Sequence, residues 1–316
     1  MKVIKDYYPN MIRQFNSLGF SYSYLDKQFK EFIEYCDSYY PKLETITKEC
    51  AISWIYSKEC KSKKVLNDRI VAIKHFSEYL NSIGVESYIP SIFIGYDNHK
   101  PISLLNDKQL KEFMRYSDSI TACKSTPNRE YIVPVLFRLI YACGLRNSEA
   151  ANIKMTDINL PKGIINIIHS KGDKDRVVYM DESLRKLCVK FNNVQSNLYP
   201  DREYFFTIPG KRKRLTKHNI DDLFDKVLSE SGLKDQFVIK PTVHGLRHLF
   251  AVNNLRKWME SNENIDVNIK YLSQYMGHDT VDETLYYLHM FQTLLPTFKD
   301  RMSALTKDIG VSYEEF

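Results

Sequence analysis

The stretch from Ser91 to Pro101 sets the first limit on how this chain can fold. It holds Gly95, the Asp97-Asn98 pair and Pro101, all turn-formers, and no helical or strand period runs through it. The 316 residues are enough for two domains. With 43% hydrophobic residues each part can bury a core, which argues against disorder. The expected division is residues 1–95 and residues 101–316.

In the first part, Leu25, Phe29, Phe32, Ile33, Cys36 and Tyr40 recur at helical spacing. They predict a helix over about 24–40, stopped by Pro41. Ile46, Cys50 and Trp54 suggest a second. Leu66, Ile70, Ile73, Phe76, Leu80 and Ile83 give a third, closed by Gly84. A small all-α bundle is the simplest domain these helices build. About twenty residues precede the first clear helix, too few for a further domain. Ahead of the third helix lies a basic run with Lys61, Lys63 and Lys64, which on its own reads as a solvated loop.

The second part reads as mainly helical with one small antiparallel sheet. Asn106 and Gln109 form a capping box opening a helix through Leu110 and Phe113. Residues 128–142 read as another, ended by Gly144, with Pro134 expected in its first turn. Arg146 follows, and Asn147 is expected to cap a short helix through Glu149 to Ile153. Residues 164–168 and 177–179 are rich in β-branched residues, so a hairpin is expected with Ser170 to Asp175 as its loop. A helix over about 181–192 comes next. The densest basic run follows, with Lys211, Arg212, Lys213, Arg214 and Lys217. Beside it Thr216 can cap a helix that buries Ile220, Leu223, Phe224 and Val227. A solvated loop or a localisation signal fits that run as well. Basic residues beside a helix N-terminus also make a phosphate site, because free N–H groups point the same way. Thr280 and Glu283 form another capping box, opening a helix that carries Tyr286 and Tyr287 about 100° apart. A last apolar stripe runs from Phe291 to Leu305, interrupted by Pro296.

The formal charge of +6 is spread over both parts. Any affinity for nucleic acid must therefore come from charges arranged on one face rather than from a polybasic tail. The six cysteines form no CxxC pair and read as buried thiols in a reducing, cytoplasmic setting. Lys2, Lys5 and Asp6 interrupt any leader-like apolar run, and no stretch of about 18 apolar residues exists, so no membrane partner is expected.

The chemistry-bearing motifs cluster late. His244-Gly245-Leu246-Arg247-His248 puts His244 and Arg247 one helical turn apart, on the same face. A guanidinium fork suits two oxygens of a phosphate. The Gly277-His278 pair and Tyr287 follow, adding an imidazole and a phenol. Such a set could hold a phosphodiester and attack it without a metal. His244 and His248 stand at zinc-ligand spacing, but Gly245 occupies the place where a metalloprotease needs Glu, and no third ligand is evident. No metal and no cofactor are expected, and His248 reads as a core or supporting histidine.

These motifs resemble those of the tyrosine recombinase (phage integrase) family. Cys143-Gly144-Leu145-Arg146 through Glu149 is similar to the family's first arginine motif, and Ser170-Lys171-Gly172 through Arg176 to its lysine-bearing β-turn. His244 to Ala251, Gly277-His278 and Tyr287 complete the set in the family's order. Met276 stands where Leu is usual, and Glu283 where small residues are usual. The resemblance implies a helical core-binding (SAM-like) domain followed by an integrase catalytic fold. It also implies a site of Arg146, Lys171, His244, Arg247, His278 and Tyr287. Lys174 is the rival for the lysine and Tyr286 for the tyrosine. Glu149 is expected to orient or buttress rather than react.

By that pattern Arg146 and Arg247 hold the non-bridging oxygens, and His244 shares that role or takes the tyrosine's proton. His278 hydrogen-bonds the phosphoryl group, and Lys171 protonates the leaving 5′ oxygen. Tyr287 becomes a 3′-phosphotyrosine, which conserves the bond energy, so rejoining needs no ATP. The implied partner is double-stranded DNA with a specific target site, bound by a homo-tetramer on paired sites, alone or with related recombinases. Lys61, Lys63 and Lys64 in the first part, and Lys211, Arg212, Lys213, Arg214 and Lys217 in the second, are the expected DNA contacts. The resemblance admits a mobile-element integrase, a chromosome-dimer-resolving Xer-type recombinase, a type IB topoisomerase or a DNA-binding protein that has lost catalysis.

Overall fold

The computed structural model describes residues 2–18, 25–57, 62–92, 94–95, 102–122, 128–168, 175–208, 213–278 and 284. The chain forms two compact units that meet between Lys100 and Pro101. Most of the turn-forming stretch, including Asp97, Asn98 and Pro101, lies outside the described residues. So do the turn with Lys171 and Lys174, the basic residues Lys61, Lys211 and Arg212, the two candidate tyrosines and the last apolar stripe.

Among its described residues the first unit holds four helices: α1 (Ile4–Ser17), α2 (Asp26–Tyr39), α3 (Lys48–Ile55) and α4 (Lys63–Ser82). The three expected helices are α2, α3 and α4. Gly84 follows α4 with φ +82°, a conformation that costs glycine little. Helix α1 is one that the apolar spacing did not point to. It carries Pro9 inside it and commits only Ile4 and Met11 fully to the core, so its period is weak and its breaker prominent. The Asp6 carboxylate caps its start by accepting from the Val3 N–H at 3.0 Å. Helix α4 packs against the other three. Phe29, Phe32, Trp54 and Phe76 are buried at their centre, each worth about 1.5–3 kcal/mol of transfer free energy. Cys36 and Cys50 are free thiols in this core, 3.7 Å apart at sulfur.

The second unit begins with α5 (Asp107–Ser119), α6 (Arg129–Ala142) and α7 (Asn147–Asn152). The Asn106 and Gln109 capping box is present, with reciprocal bonds of 2.9 and 3.0 Å. Pro134 lies in the second turn of α6, not the first, and the helix runs on through Ala142. Proline only has to forgo one bond there, and Val133, Val135 and Leu136 on either side of it are buried. Asn147 does not cap α7. The Arg146 N–H gives its hydrogen to Glu149 Oε2 at 2.8 Å, and Asn147 instead reaches Asp221. Asn147 is already the first residue of the helix, one position past the cap.

Three antiparallel strands follow, β1 (Ile158–Asn159), β2 (Ile164–Ile167) and β3 (Arg176–Tyr179), in the order β1-β2-β3. Strands β2 and β3 are the expected hairpin, with Ile165 opposite Val178 and both fully buried. Helix α8 (Glu182–Leu198) extends six residues beyond the expected end. A short hairpin, β4 (Thr207–Ile208) with β5 (Lys213–Arg214), presents part of the basic run. Helix α9 (Lys217–Glu230) is capped by Thr216 as expected, its hydroxyl accepting from Asn219 N–H at 3.2 Å. Helices α10 (Val243–Glu260) and α11 (Ile265–Met276) complete the described elements. Helix α10 packs against α6, α9 and α11, so its Arg247 and His248 are carried into the interior.

Candidate active site

Two glycines fix where the arginine motifs meet. Gly144 ends α6 with φ +61°, and a Cβ there would stand 2.6 Å from the Phe250 ring of α10. No other residue fits so close an approach. The chain therefore turns against α10, and Arg146 emerges at the start of α7 directly beside it. Gly277 ends α11 with φ +66°, which turns the following His278 back toward the same place.

Arg247 lies on the buried side of α10, with 1% of its side chain exposed. It donates to the carbonyl oxygens of Gly144 at 2.7 Å and Met276 at 2.6 Å. Arg146 is more open, at 17%. It donates to Glu149 Oε1 at 2.8 Å and to the Gly277 carbonyl at 2.6 Å. The two arginines are therefore unequal: Arg247 forms the floor of the site and Arg146 part of its accessible edge.

Glu149 sits between them and is itself buried. Arg176 of β3 grips it with both terminal nitrogens, at 2.8 and 2.7 Å, and Arg247 Nη1 stands 3.8 Å from Oε2. Burial alone would raise the carboxyl pKa. The Arg176 bonds and charge, then Arg146, override it and hold the group at about 2. Glu149 is thus an ionised anchor, not a proton donor, in keeping with a buttressing residue.

Three imidazoles share this neighbourhood. His248 is buried, and its ring meets that of His244 edge-on at 4.4 Å between centroids. His278 is buried too, and its Nδ1 lies 2.7 Å from the hydroxyl of the fully buried Thr284. Burial first, and then the charge of Arg247 and Arg146, pushes His278 down to about 3. Burial and the neighbouring His244 and Arg247 do the same to His248, at about 3. His244 is solvent-exposed along one side, yet protein atoms crowd the rest of the ring. That crowding, with Arg247, Arg146 and Lys217, holds it at about 4. All three rings are neutral at neutral pH in the free protein. A negative ligand would reverse the electrostatic part of this shift.

Of the expected site residues, the described structure brings Arg146, His244, Arg247 and His278 together. Lys171 and Tyr287 lie outside the described residues. Lys217 stands at the N-terminus of α9, close enough to lower the His244 pKa, and Lys213 and Arg214 are exposed on β5. Lys63 and Lys64 are exposed at the start of α4, with Lys64 paired to Asp68 at 3.2 Å. Two residues were not singled out from sequence. Arg176 closes the lysine motif there and has no role of its own, although an arginine opening a buried hairpin strand was a signal. Thr284 carried none. Beside the site, a cavity of about 920 Å³ is lined by Phe250, Trp258, Tyr271 and Tyr275, and also by Arg176, Gly277 and His278.

Residues 103–293 match the model of the phage integrase family. Over 163 residues the chain is 26% identical to a putative integrase/recombinase, y4rE, of Sinorhizobium fredii, spanning 51% of this chain and about half (52%) of that protein. Over 244 residues it is 28% identical to tyrosine recombinase XerC of Chlamydia caviae, spanning 75% and 70% of the two chains. Among solved structures it resembles the XerH site-specific recombinase bound to a palindromic difH substrate, in a post-cleavage complex. The TM-score is 0.60 at 20% identity, covering 82% of this chain and 72% of that one. That likeness is one of fold: a mainly helical chain with small antiparallel sheets.

Proposed function

The chain belongs to the phage integrase family, and on that premise we propose that it is a site-specific DNA recombinase using a covalent 3′-phosphotyrosine. The observation that carries the reading is the cluster of Arg146, Arg176 and Arg247 around the carboxylate of Glu149, with His244 and His278 alongside. Among the described residues, three guanidinium groups gathered about one carboxylate are complementary to a phosphodiester whose charge builds in the transition state.

In this reading Arg146 and Arg247 stabilise the non-bridging oxygens. His278, oriented by Thr284, hydrogen-bonds the phosphoryl group. Tyr287 attacks phosphorus, and its proton passes to His244, which is neutral and so can accept it. The bond from phosphorus to the 5′ oxygen breaks, and Lys171 gives that oxygen its proton. The free 5′ hydroxyl of a partner strand then attacks the phosphotyrosine and releases Tyr287. The substrate is double-stranded DNA with a specific target site. Lys213, Arg214 and Lys217, with Lys211 and Arg212, track phosphates beside the site. Lys61, Lys63 and Lys64 of the first unit, its core-binding domain, do so elsewhere on the duplex. The active assembly is a homo-tetramer on paired sites, in the cytoplasm. The apolar stripe from Phe291 to Leu305 docks on a neighbouring protomer.

The natural role we favour is that of a mobile-element integrase. The likeness to XerC and XerH favours chromosome-dimer resolution as the second reading. One experiment addresses both. The protein is expressed, cells are lysed under denaturing conditions, and DNA still attached is sequenced, with Tyr287→Phe and Tyr286→Phe in parallel. Attachment lost only in Tyr287→Phe is expected. Loss only in Tyr286→Phe would move the nucleophile by one residue. A blank on nicked duplexes, which trap the intermediate, would sink the cleavage reading. Captured sequence at the ends of an element favours integration, and a single chromosomal site favours dimer resolution.

A further inference from the structure

The site holds a residue that this mechanism does not use. Arg176 opens β3, immediately after the turn of the lysine motif, and only 7% of its side chain is exposed. It is too enclosed to serve as a surface contact. It reaches both of the groups that orient Arg146. One is the Glu149 carboxylate, which takes Arg146 Nη1 at 2.8 Å and Arg176 at 2.8 and 2.7 Å. The other is Gly277, whose carbonyl takes Arg146 Nη2 at 2.6 Å. Arg176 lies against this residue so closely that a Cβ there would stand 3.1 Å from its Nη1, and 3.5 Å from Arg146 Nη1.

We propose that Arg176 is a positioning residue for strand cleavage, fixing Arg146 through its hold on Glu149 and its packing against Gly277. The proposal rests on the cleavage reading above.

Arg176 acts on Glu149 in two ways. A bidentate guanidinium–carboxylate pair fixes the plane of the carboxylate as well as its charge. With Glu149 held flat by Arg176, its Oε1 points at the Arg146 side chain while its Oε2 caps the Arg146 backbone N–H. The side chain and main chain of one residue are thereby set by one acceptor. The second is electrostatic. Glu149 is buried, and burial favours its neutral form. The charges that face it are Arg146 from its own turn, Arg176 from β3, and Arg247 from α10 at 3.8 Å, with the imidazoles of His244 and His278 nearby. Arg176 supplies the bonds that count most toward keeping it ionised. Without them, Glu149 takes up a proton at higher pH, and one acceptor of Arg146 is lost.

The test uses the full chain on nicked duplexes carrying the sequence that the wild type captures. Covalent complex and duplex binding are followed from about pH 5.5 to about pH 8.5 for the wild type, Arg176→Gln, Arg176→Lys, Glu149→Gln and the double variant Arg176→Gln/Glu149→Gln. We expect Arg176→Gln to bind DNA as the wild type does but to cleave about 10²-fold more slowly at the acid end, the size of effect a small misplacement brings. The deficit should shrink as pH rises. Arg176→Lys should recover part of the rate, and the double variant should be no slower than Glu149→Gln alone. Cleavage by Arg176→Gln at the wild-type rate would overturn the proposal. So would an equal loss at every pH with a double variant that multiplies the two single losses. If Arg176→Gln does not fold, Arg176→Lys carries the same test, and a wild-type pH profile in it overturns the proposal. A wild type that captures no DNA sinks the cleavage reading itself. Wild-type capture with an unaffected Arg176 variant removes only the role of Arg176.

Discussion

Each unit of this protein buries an arginine that caps backbone carbonyls, and the two are put to different ends. In the first unit Arg69 is 3% exposed. It donates to the Ile55 carbonyl at 3.0 Å and the Trp54 carbonyl at 3.4 Å, with its guanidinium 5.2 Å over the Trp54 ring and Glu31 at 3.8 Å. It closes the C-terminal end of α3, where carbonyls lack helical partners. In the second unit Arg247 does the same for Gly144 and Met276, but with Arg146, Arg176 and three imidazoles close by. Burying a charge costs about the same desolvation in both places. Around Arg69 an aromatic face and one carboxylate offset it. Around Arg247 the Glu149 carboxylate stands at the same 3.8 Å, but it is shared with Arg146 and Arg176. A buried arginine alone is therefore no sign of a site. An excess of like charge that the fold does not neutralise is.

The comparison can be broken most directly with Arg247→Ala. We expect covalent DNA capture to fall by about 10²–10³-fold, the usual cost of one transition-state donor, with duplex binding retained. Normal capture would remove Arg247 from the chemistry and leave it a stitch like Arg69.

Acid gives the next largest contrast. His248 and His278 titrate at about 3 in the folded protein and His244 at about 4, against an ordinary 6.5. As pH falls below 6.5 the unfolded chain takes up protons that the folded one refuses, so their stabilising contribution is complete above that value and is lost toward 3. Glu149, at about 2 against an ordinary 4.5, adds a further loss between those two values. The second unit should therefore unfold at higher pH than the first. Each unit holds one of the two tryptophans, Trp54 and Trp258, so the fluorescence of Trp54→Phe and Trp258→Phe variants follows each unit separately. Coincident acid transitions would contradict this.

Arg69→Met sharpens the other side. It removes the Arg69 donor from the Ile55 carbonyl, while Ser57 still donates to that of Trp54, and we expect a loss of about 1–3 kcal/mol in urea unfolding read from Trp54. Cleavage per folded molecule should not change. The smallest effect should come from Lys217→Ala, which removes one phosphate contact. The salt dependence of DNA binding should flatten by about one unit of log–log slope. Lys64→Ala, whose ammonium already has Asp68 as a partner, should change it less.

Much of this was legible before any coordinates. The helices of the first unit followed from one apolar stripe each, and the missed α1 has a proline inside it and only two residues deep in the core. The β2–β3 hairpin followed from β-branched runs bounded by turn residues, a signal that acts over a few positions. The arginine and histidine motifs could be read because their spacing within one helix is local. The roles of Arg176 and Thr284 were not legible: Arg176 matters through Glu149, 27 residues away, and Thr284 through a histidine six residues back whose ring direction depends on the turn at Gly277.

What the sequence determined by itself is therefore the set of chemical groups and the local elements that carry them, because periodicity, caps and turn residues act over a few positions. Only the tertiary structure decided how those groups are ranked. It put Arg247 at the floor and Arg146 at the edge, made Glu149 an anchor held by Arg176, and kept three histidines neutral. Those outcomes depend on burial and on distances between side chains from different helices and strands, which spacing along a chain does not encode.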